Sequence, residues 1–304
     1  MTLIKNLKSS IFLILFLTAA LVVTACGKRD SDRLAVVKGR EIRQQDLDKA
    51  LDYYNKVEAN PDMDKMDEDQ KAEELKKVKK LLLDQLVWDL IVEEDSNKRG
   101  INSEGLFLKL KADALQKLVD EDGLKRQLES LGISMEDYEE SLRKEAMNLA
   151  HRSAVVEENE PKDSDLKKYY EKHDKERKLI DYEEAVVGEK TRAKDIEKDW
   201  EGKKSVSDPG GLNTDSFEES SYKEYKNMGI DDDKVVSSKI FDMKEGACQV
   251  FKNRGLYHVV HISKITEDFT SVKNHLQKMY EKDIYLEYMK KKSKDFNVRI
   301  YKDF

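Results

Sequence analysis

The stretch from Asp67 to Asn97 limits the possible folds most. Leu75, Val78, Leu82, Leu86 and Leu90 recur at intervals of three and four, a spacing that lays one apolar stripe along a helix. Leu83, Val87, Trp88 and Ile91 widen the stripe, so this helix is expected deep in its domain. Lys98-Arg99-Gly100 supplies basic residues in the last turn and a glycine stop. Charged residues make up 39% of the chain, against about 25% in an average globular protein. The two signs are interspersed, as on the solvated faces of long helices. A hydrophobic share of 38% leaves enough for a core, though a thin one.

The remaining pattern is read in the same way. LAVVKGREIRQQDLDKAL predicts a strand, a Lys38-Gly39 turn, a second short strand and a helix start. Helices follow over 47–59, 103–119 and 121–130, with Asn60-Pro61-Asp62 as a breaker. Ser134 followed by Asp137 fits a capping box opening a helix that runs to about 156. Pro161 and Ser164 open another, over 165–177. Composition shifts near residue 178. Residues 179–187 hold β-branched side chains, 191–200 read as a helix, and 202–233 are rich in Gly, Ser, Asp and Asn. A short apolar segment covers 235–243, and residues 248–251 and 256–265 alternate as strands. Val272, Leu276, Met279, Ile284 and Tyr288 mark a helix over 271–294, before a last strand at 297–301. The expected fold class is α+β: a large helical region, a small α+β domain, and a C-terminal helix returning to the helical region.

The N-terminus carries a positive start (Lys5, Lys8) and an apolar run from Ile11 to Val23, too short for a stop-transfer helix. Val23-Thr24-Ala25-Cys26-Gly27 resembles a bacterial lipobox. The resemblance implies cleavage before Cys26, lipidation of that cysteine, and an extracytoplasmic protein lipid-anchored to the membrane. An ordinary signal peptide with an incidental cysteine is the alternative. Loss of residues 1–25, which hold two lysines and no acid, takes the net charge from −7 to −9. An acidic chain without a basic stripe does not suit nucleic acid. With Cys26 lipidated only Cys248 is left, so no intramolecular disulfide forms, and Cys248 is read as a buried small side chain rather than a nucleophile.

LAVVKGREIRQQDLDKAL, LLLDQLVWDLIVEEDSNKRGINSE, GISMEDYEESLRKEAMNLA and the Tyr169-Tyr170-Glu171 segment resemble, in that order, the SurA/PrsA family of extracytoplasmic chaperones. In that family the next module is often a parvulin, a small prolyl isomerase domain. Its ending resembles Lys244-Glu245-Gly246, Val250-Phe251 and Gly255-Leu256-Tyr257-His258. The resemblance sets the expected domains: leader 1–25, lipidated tether 26–33, helical chaperone domain 34–177, divergent parvulin-like domain 178–266, and a C-terminal helix and strand, 267–304, packing on the helical domain.

On this match His258 stands where parvulins keep a cleft histidine. Alternation along a strand puts His258 and His261 on opposite faces, so they cannot share one cleft or chelate one metal. Where parvulins place their first histidine, this chain has Ile180-Asp181-Tyr182-Glu183-Glu184. The Gly-rich signature is reduced to the region of Gly210 and Gly211. Met228, Ile230 and Phe241 are the candidates for the proline pocket. His258 is therefore either a cleft-wall group or a structural histidine kept from the ancestral sheet. His151, His173, His261 and His275 read as solvated or packing residues. Asp231-Asp232-Asp233 lacks the ligand spacing of a calcium loop, and neither a metal nor a cofactor is expected.

The resemblance implies a membrane-anchored chaperone or foldase that binds unfolded secreted polypeptides, with weak or absent isomerase activity. Trp88, Leu106, Phe107 and Tyr169 are candidate client contacts, each with a core role as the competing reading. The alternative is an active parvulin-type prolyl isomerase. A solute-binding lipoprotein would need a two-lobed α/β sheet, which the helix-heavy pattern opposes. Signatures of serine hydrolases and zinc proteases are missing from the sequence.

Overall fold

The computed structural model describes residues 32–57, 67–118, 121–203, 206–207, 220–232, 235–253, 255–302 and 304. The leader, Cys26, Gly210, Gly211 and Asp233 lie outside the described residues. The chain divides into two units, Met1–Asn159 with Ile284–Phe304, and Glu160–Asp283.

In the first unit, β1 (Arg33–Val37) and β2 (Arg40–Arg43) form the expected hairpin. Lys38 and Gly39 both have positive φ, 50° and 86°, the backbone a two-residue hairpin turn requires. The short β7 (Arg299–Ile300) pairs antiparallel with β1, giving the order β2-β1-β7. Helices α1 (Gln44–Val57), α2 (Glu68–Arg99), α3 (Glu104–Leu118), α4 (Glu121–Ser130) and α5 (Met135–Glu158) complete the unit with the end of the last helix.

The long helix α2 opens on a capping box between Asp67 and Gln70 and ends on Gly100 at φ 68°, as its sequence signals require. Leu82, Leu83, Leu86, Val87 and Ile91 are buried against Leu34, Val37 and Leu47 from the hairpin and α1, and against Tyr285, Met289 and Phe296. Phe107, Leu124, Leu128 and Leu142 form a second cluster with Tyr53 of α1. The Ser134 hydroxyl accepts the Asp137 N–H at 3.0 Å, fixing the start of α5.

One polar cluster interrupts this core. Asp95 on α2 is fully buried. Its carboxylate meets Lys292 Nζ at 2.7 Å and His151 Nε2 at 3.0 Å and accepts the Tyr288 hydroxyl. The other nitrogen of His151 reaches the Tyr285 hydroxyl at 2.9 Å. A buried carboxylate persists only with such partners. Burial opposes its ionisation, but Lys292, Tyr288 and His151 outweigh that and hold the carboxyl down at about 2.

The second unit holds α6 (Asp163–Lys172), β3 (Leu179–Val187), α7 (Lys190–Trp200), β4 (Ser220–Met228), a single 3-10 turn (Ser238–Asp242), β5 (Cys248–Asn253) and β6 (Leu256–Thr266). Helix α8 (Phe269–Asp295) belongs to this unit up to Asp283 and to the first from Ile284. The sheet has the order β4-β3-β6-β5 and every neighbour is antiparallel.

At three places the structure departs from these expectations or adds to them. Residues 220–228, which fall in the segment assigned no element from sequence, form β4; backbone pairing with β3 supplies the order that SSYKEYKNM lacks as an apolar pattern. Helix α6 stops at Lys172, because His173 leaves helical geometry at φ −119°, ψ 82° and Asp174-Lys175-Glu176-Arg177 offers no apolar side chain to pack. The 235–243 segment closes into the 3-10 turn that buries Ile240 and Phe241.

Candidate functional site

The four-stranded sheet presents two chemically distinct faces. On one, α7 packs Ala193, Ile196 and Trp200 over Ala185, Val187, Val259 and Cys248. Cys248 is buried and unbridged. Burial, with the Glu197 and Glu201 charges nearby, pushes its thiol up to about 12, so it is no thiolate at neutral pH. His261 shares this face. It is fully buried, with Nδ1 2.9 Å from Glu183 Oε2 directly across the strands and Nε2 2.8 Å from the Lys203 carbonyl. Burial alone would favour the neutral ring. Glu183 and the Lys203 carbonyl outweigh it, and the imidazole is held above its ordinary value.

The opposite face carries His258. Register places Val186 across from His258 and Glu184 across from Val260, so the two polar side chains meet on the diagonal, within reach for a long side chain. His258 Nδ1 lies 2.8 Å from Glu184 Oε1. The glutamate side chain is 7% exposed and the histidine 16%. A carboxylate can only accept, so Nδ1 carries the proton and Nε2 is left for another partner. Tyr225 on β4 completes the group. Burial first, then the hydrogen-bonded Glu184 charge, drives its phenol well above the ordinary range. Its ring stacks on Tyr182 with centroids 4.7 Å apart.

Beneath this polar group lies an apolar cluster. Ile180, Tyr182, Met228, Ile240, Phe241, Val260 and Ile262 form its buried part, and Ile230 packs against it half-buried. The structure thus brings the candidate pocket residues Met228, Ile230 and Phe241 into one cluster on the His258 face. Phe241 is only 1% exposed and Met228 7%, so both are covered by neighbours. His258 stands at the rim of a filled cluster.

Other histidines pack. His173 stacks on Tyr169 at 3.8 Å. His275 lies against Gly229, where an added Cβ would sit 2.1 Å from the ring. Phe107 and Tyr169 are buried, while Trp88 and Leu106 are half-buried against the two cores of the first unit.

Two members of the polar group were not singled out from sequence. Glu184 was visible only as part of the segment that lacks a histidine; period-two alternation from Val186 was the signal that it shares the His258 face. Tyr225 lies inside a stretch whose composition points to no element.

The sequence matches two family models. A SurA-like N-terminal domain covers residues 1–149, and a PPIC-type peptidyl-prolyl isomerase domain covers residues 161–274. No curated protein matches. Among solved structures, the chain is similar to a SurA-like chaperone of Campylobacter jejuni, at 12% identity over 89% of this chain and 99% of that one, with a TM-score of 0.42. It is also similar to the foldase PrsA of Streptococcus pneumoniae, at 14% identity over 89% and 96%, TM-score 0.37. PrsA of Bacillus subtilis aligns at 19% identity over 74% and 87%, TM-score 0.30.

Proposed function

This chain belongs to the SurA/PrsA type of parvulin-containing chaperones, and from that premise we propose that it holds unfolded secreted polypeptides outside the cytoplasm while its isomerase module turns over slowly or not at all. The observation that carries the second part is the Glu184–His258 pair over a closed apolar cluster. Prolyl isomerisation makes and breaks no bond. A catalyst must seat the proline ring in an apolar hollow and favour a twisted imide across a barrier of about 20 kcal/mol. Here Met228 and Phe241 are covered, and one nitrogen of His258 is taken up by a carboxylate.

A second reading, an active isomerase, keeps support from the PPIC-type match over 161–274 and from a partly exposed His258 whose Nε2 has no partner among the described residues. One assay separates the two. Isomerisation of a proline tetrapeptide is expected at the buffer rate, or within a few fold of it, and unchanged in His258→Ala. A large rate that collapses in His258→Ala establishes the isomerase instead. Chaperone action is tested by suppression of aggregation of a reduced, unfolded secreted protein; no suppression at equimolar chain removes the reading.

Membrane anchoring at Cys26 is part of the proposal. Lys5, Lys8, the apolar run to Val23 and the small residues before Cys26 support it. Cys26→Ala is expected to move the protein from the membrane fraction to the soluble one.

A further inference from the structure

Most of the molecule is acidic, but the tether and the small sheet of the first unit are not. Residues 27–43 and 299–304 hold eight basic residues and four acids, whereas residues 44–298 hold 46 and 59. Strand β1 runs antiparallel to both β2 and β7. The start of β1, the end of β2 and the end of β7 therefore meet at one end of the sheet, the end where the chain arrives from Cys26. Arg33 and Arg43 stand directly opposite each other there, a like-charge placement that costs stability in a sheet. Both draw on the single carboxylate of Glu41. Lys302 follows β7 at the same end, and Asp32 is the other acid described there. At the far end, Lys38 and Arg40 are taken up by Glu94 and Glu93 of α2, each at 2.8 Å.

The same end exposes apolar surface. Among the described residues five large apolar side chains are exposed, and two of them are Ile300 and Tyr301, each at 50%. They sit on and just after β7, an edge strand. Edge strands are ordinarily guarded by charge; a bare isoleucine and tyrosine invite pairing unless something covers them. The Arg33 guanidinium lies 4.7 Å over the Tyr301 ring. Tyrosine beside arginine and lysine, with an aliphatic side chain next to it, is the chemistry of a lipid interface. There the ring sits at headgroup level and the cations meet phosphates.

The length of the tether says which surface this end meets. Seven residues lead from Cys26 to Arg33, and they span at most about 25 Å when fully extended. With Cys26 acylated, the end of the sheet stays beside the bilayer. Each basic side chain near an anionic surface strengthens the contact about fivefold, while acids farther than a Debye length of about 8 Å are screened.

We propose that the sheet end formed by Arg33, Arg43, Ile300, Tyr301 and Lys302 docks on the anionic lipid surface that holds the Cys26 anchor. The proposal rests on the anchoring reading above and adds to it a face of the folded protein that orients the first unit on the membrane.

The test uses the processed chain, residues 26–304, carrying Tyr301→Trp and coupled through the Cys26 thiol to a maleimide lipid in vesicles. Cys248 is buried, so coupling goes to Cys26, and it supplies the tether whether or not the cell does. Bromine-labelled acyl chains are expected to quench the new tryptophan in vesicles that mix phosphatidylglycerol with phosphatidylcholine, after the signal of Trp88 and Trp200 in the parent chain is subtracted. Quenching is expected to fade at high salt and to be missing in pure phosphatidylcholine. This comparison alters only the lipid, so a misfolded variant cannot mimic the result. Lys302→Gln in the same chain is expected to lower the docked-to-free ratio about fivefold. No quenching, or equal quenching in the two lipids, overturns the proposal. Fractionation of Cys26→Ala cells keeps the two ideas apart. If the coupled chain is silent while Cys26→Ala leaves the membrane fraction, the docking face fails and the anchor stands. If the coupled chain docks while Cys26→Ala is distributed as before, the face binds lipid and the anchoring reading fails.

Discussion

Among the described glycines, Gly229 leaves the least room for a side chain. A Cβ there would lie 2.1 Å from Cε1 of His275, and 2.8 Å and 2.9 Å from its two ring nitrogens, well inside contact distance. The ring is held in place, its side chain only 12% exposed. Gly229→Ala is therefore expected to cost about 1–3 kcal/mol, the usual price of overpacking, read as a lower melting temperature of the second unit. The same change made in a His275→Ala background is expected to cost much less. Equal costs in both backgrounds would show that the clash is not the cause. Asp95 poses the opposite problem, a buried charge whose partners make it tolerable. Removing one partner of a buried pair typically costs about 3–5 kcal/mol. Lys292→Met leaves that carboxylate short of its 2.7 Å partner and is expected to destabilise the first unit by that order in chemical denaturation. None of this network was legible in the sequence. Asp95, His151 and Tyr288 are far apart in the chain, and period-3.6 patterns place each on a helix face without saying which faces meet. Glu184 is the same case on a sheet: alternation fixed its face, but only the pairing of β3 with β6 set it beside His258.

At the scale of elements, segments with a strong apolar period were readable and segments ordered by their neighbours were not. Helix α2 carries its stripe, its start signal at Asp67 and its stop at Gly100 in plain sequence. Strand β4 carries little but two tyrosines, Tyr222 and Tyr225, on opposite faces, and is ordered by the ladder to β3. The elements also differ in how they respond to pH, because their buried histidines are perturbed in opposite directions. His261, between β3 and β6, is held above its ordinary value of 6.5. The stabilisation it provides is whole below 6.5 and is lost as pH rises through the higher folded value. His151 on α5 is held below 6.5, chiefly by burial, with Asp95 opposing. Its stabilisation is present above 6.5 and is lost as pH falls through the lower folded value. Asp95, held at about 2 against an ordinary 3.8, adds a second loss in the first unit between about pH 4 and pH 2. Hydrogen exchange resolved by segment is expected to show β3 and β6 opening more readily at pH 8 than at pH 5.5, with α2 and α5 doing the reverse. A common direction in both sets would contradict the assignment. Ser134→Ala tests a single element end: losing the hydroxyl that accepts Asp137 N–H is expected to cost about 1 kcal/mol, seen as faster exchange in the first turn of α5.

For the whole molecule, the order of the chain has a mechanical consequence. The second unit, Glu160–Asp283, is inserted into the first, which is closed only by Ile284–Phe304. Those last residues are not an appendage. Tyr285, Met289 and Phe296 are buried in the core of the first unit, Lys292 and Tyr288 hold Asp95, and β7 pairs with β1. Ending the chain after Asp283 would remove the three buried side chains, two partners of a buried carboxylate and an edge strand together. Core truncations cost about 2–5 kcal/mol each, and a domain is stable by only about 5–15 kcal/mol in total. The first unit is therefore expected to lose its cooperative transition in the shortened chain. The second unit keeps its sheet, its α7 layer and the part of α8 that packs Val272, Leu276 and Met279 against Tyr169. Calorimetry is expected to show one transition surviving, and exchange should find protection in β3 and β6 but not in α2 or α5. The consequence reaches function. Any turnover at His258, which belongs to the second unit, must remain in the shortened chain. Retention of α2 protection after truncation would mean that residues 284–304 are dispensable, and would refute the inserted arrangement as the source of the first unit's stability.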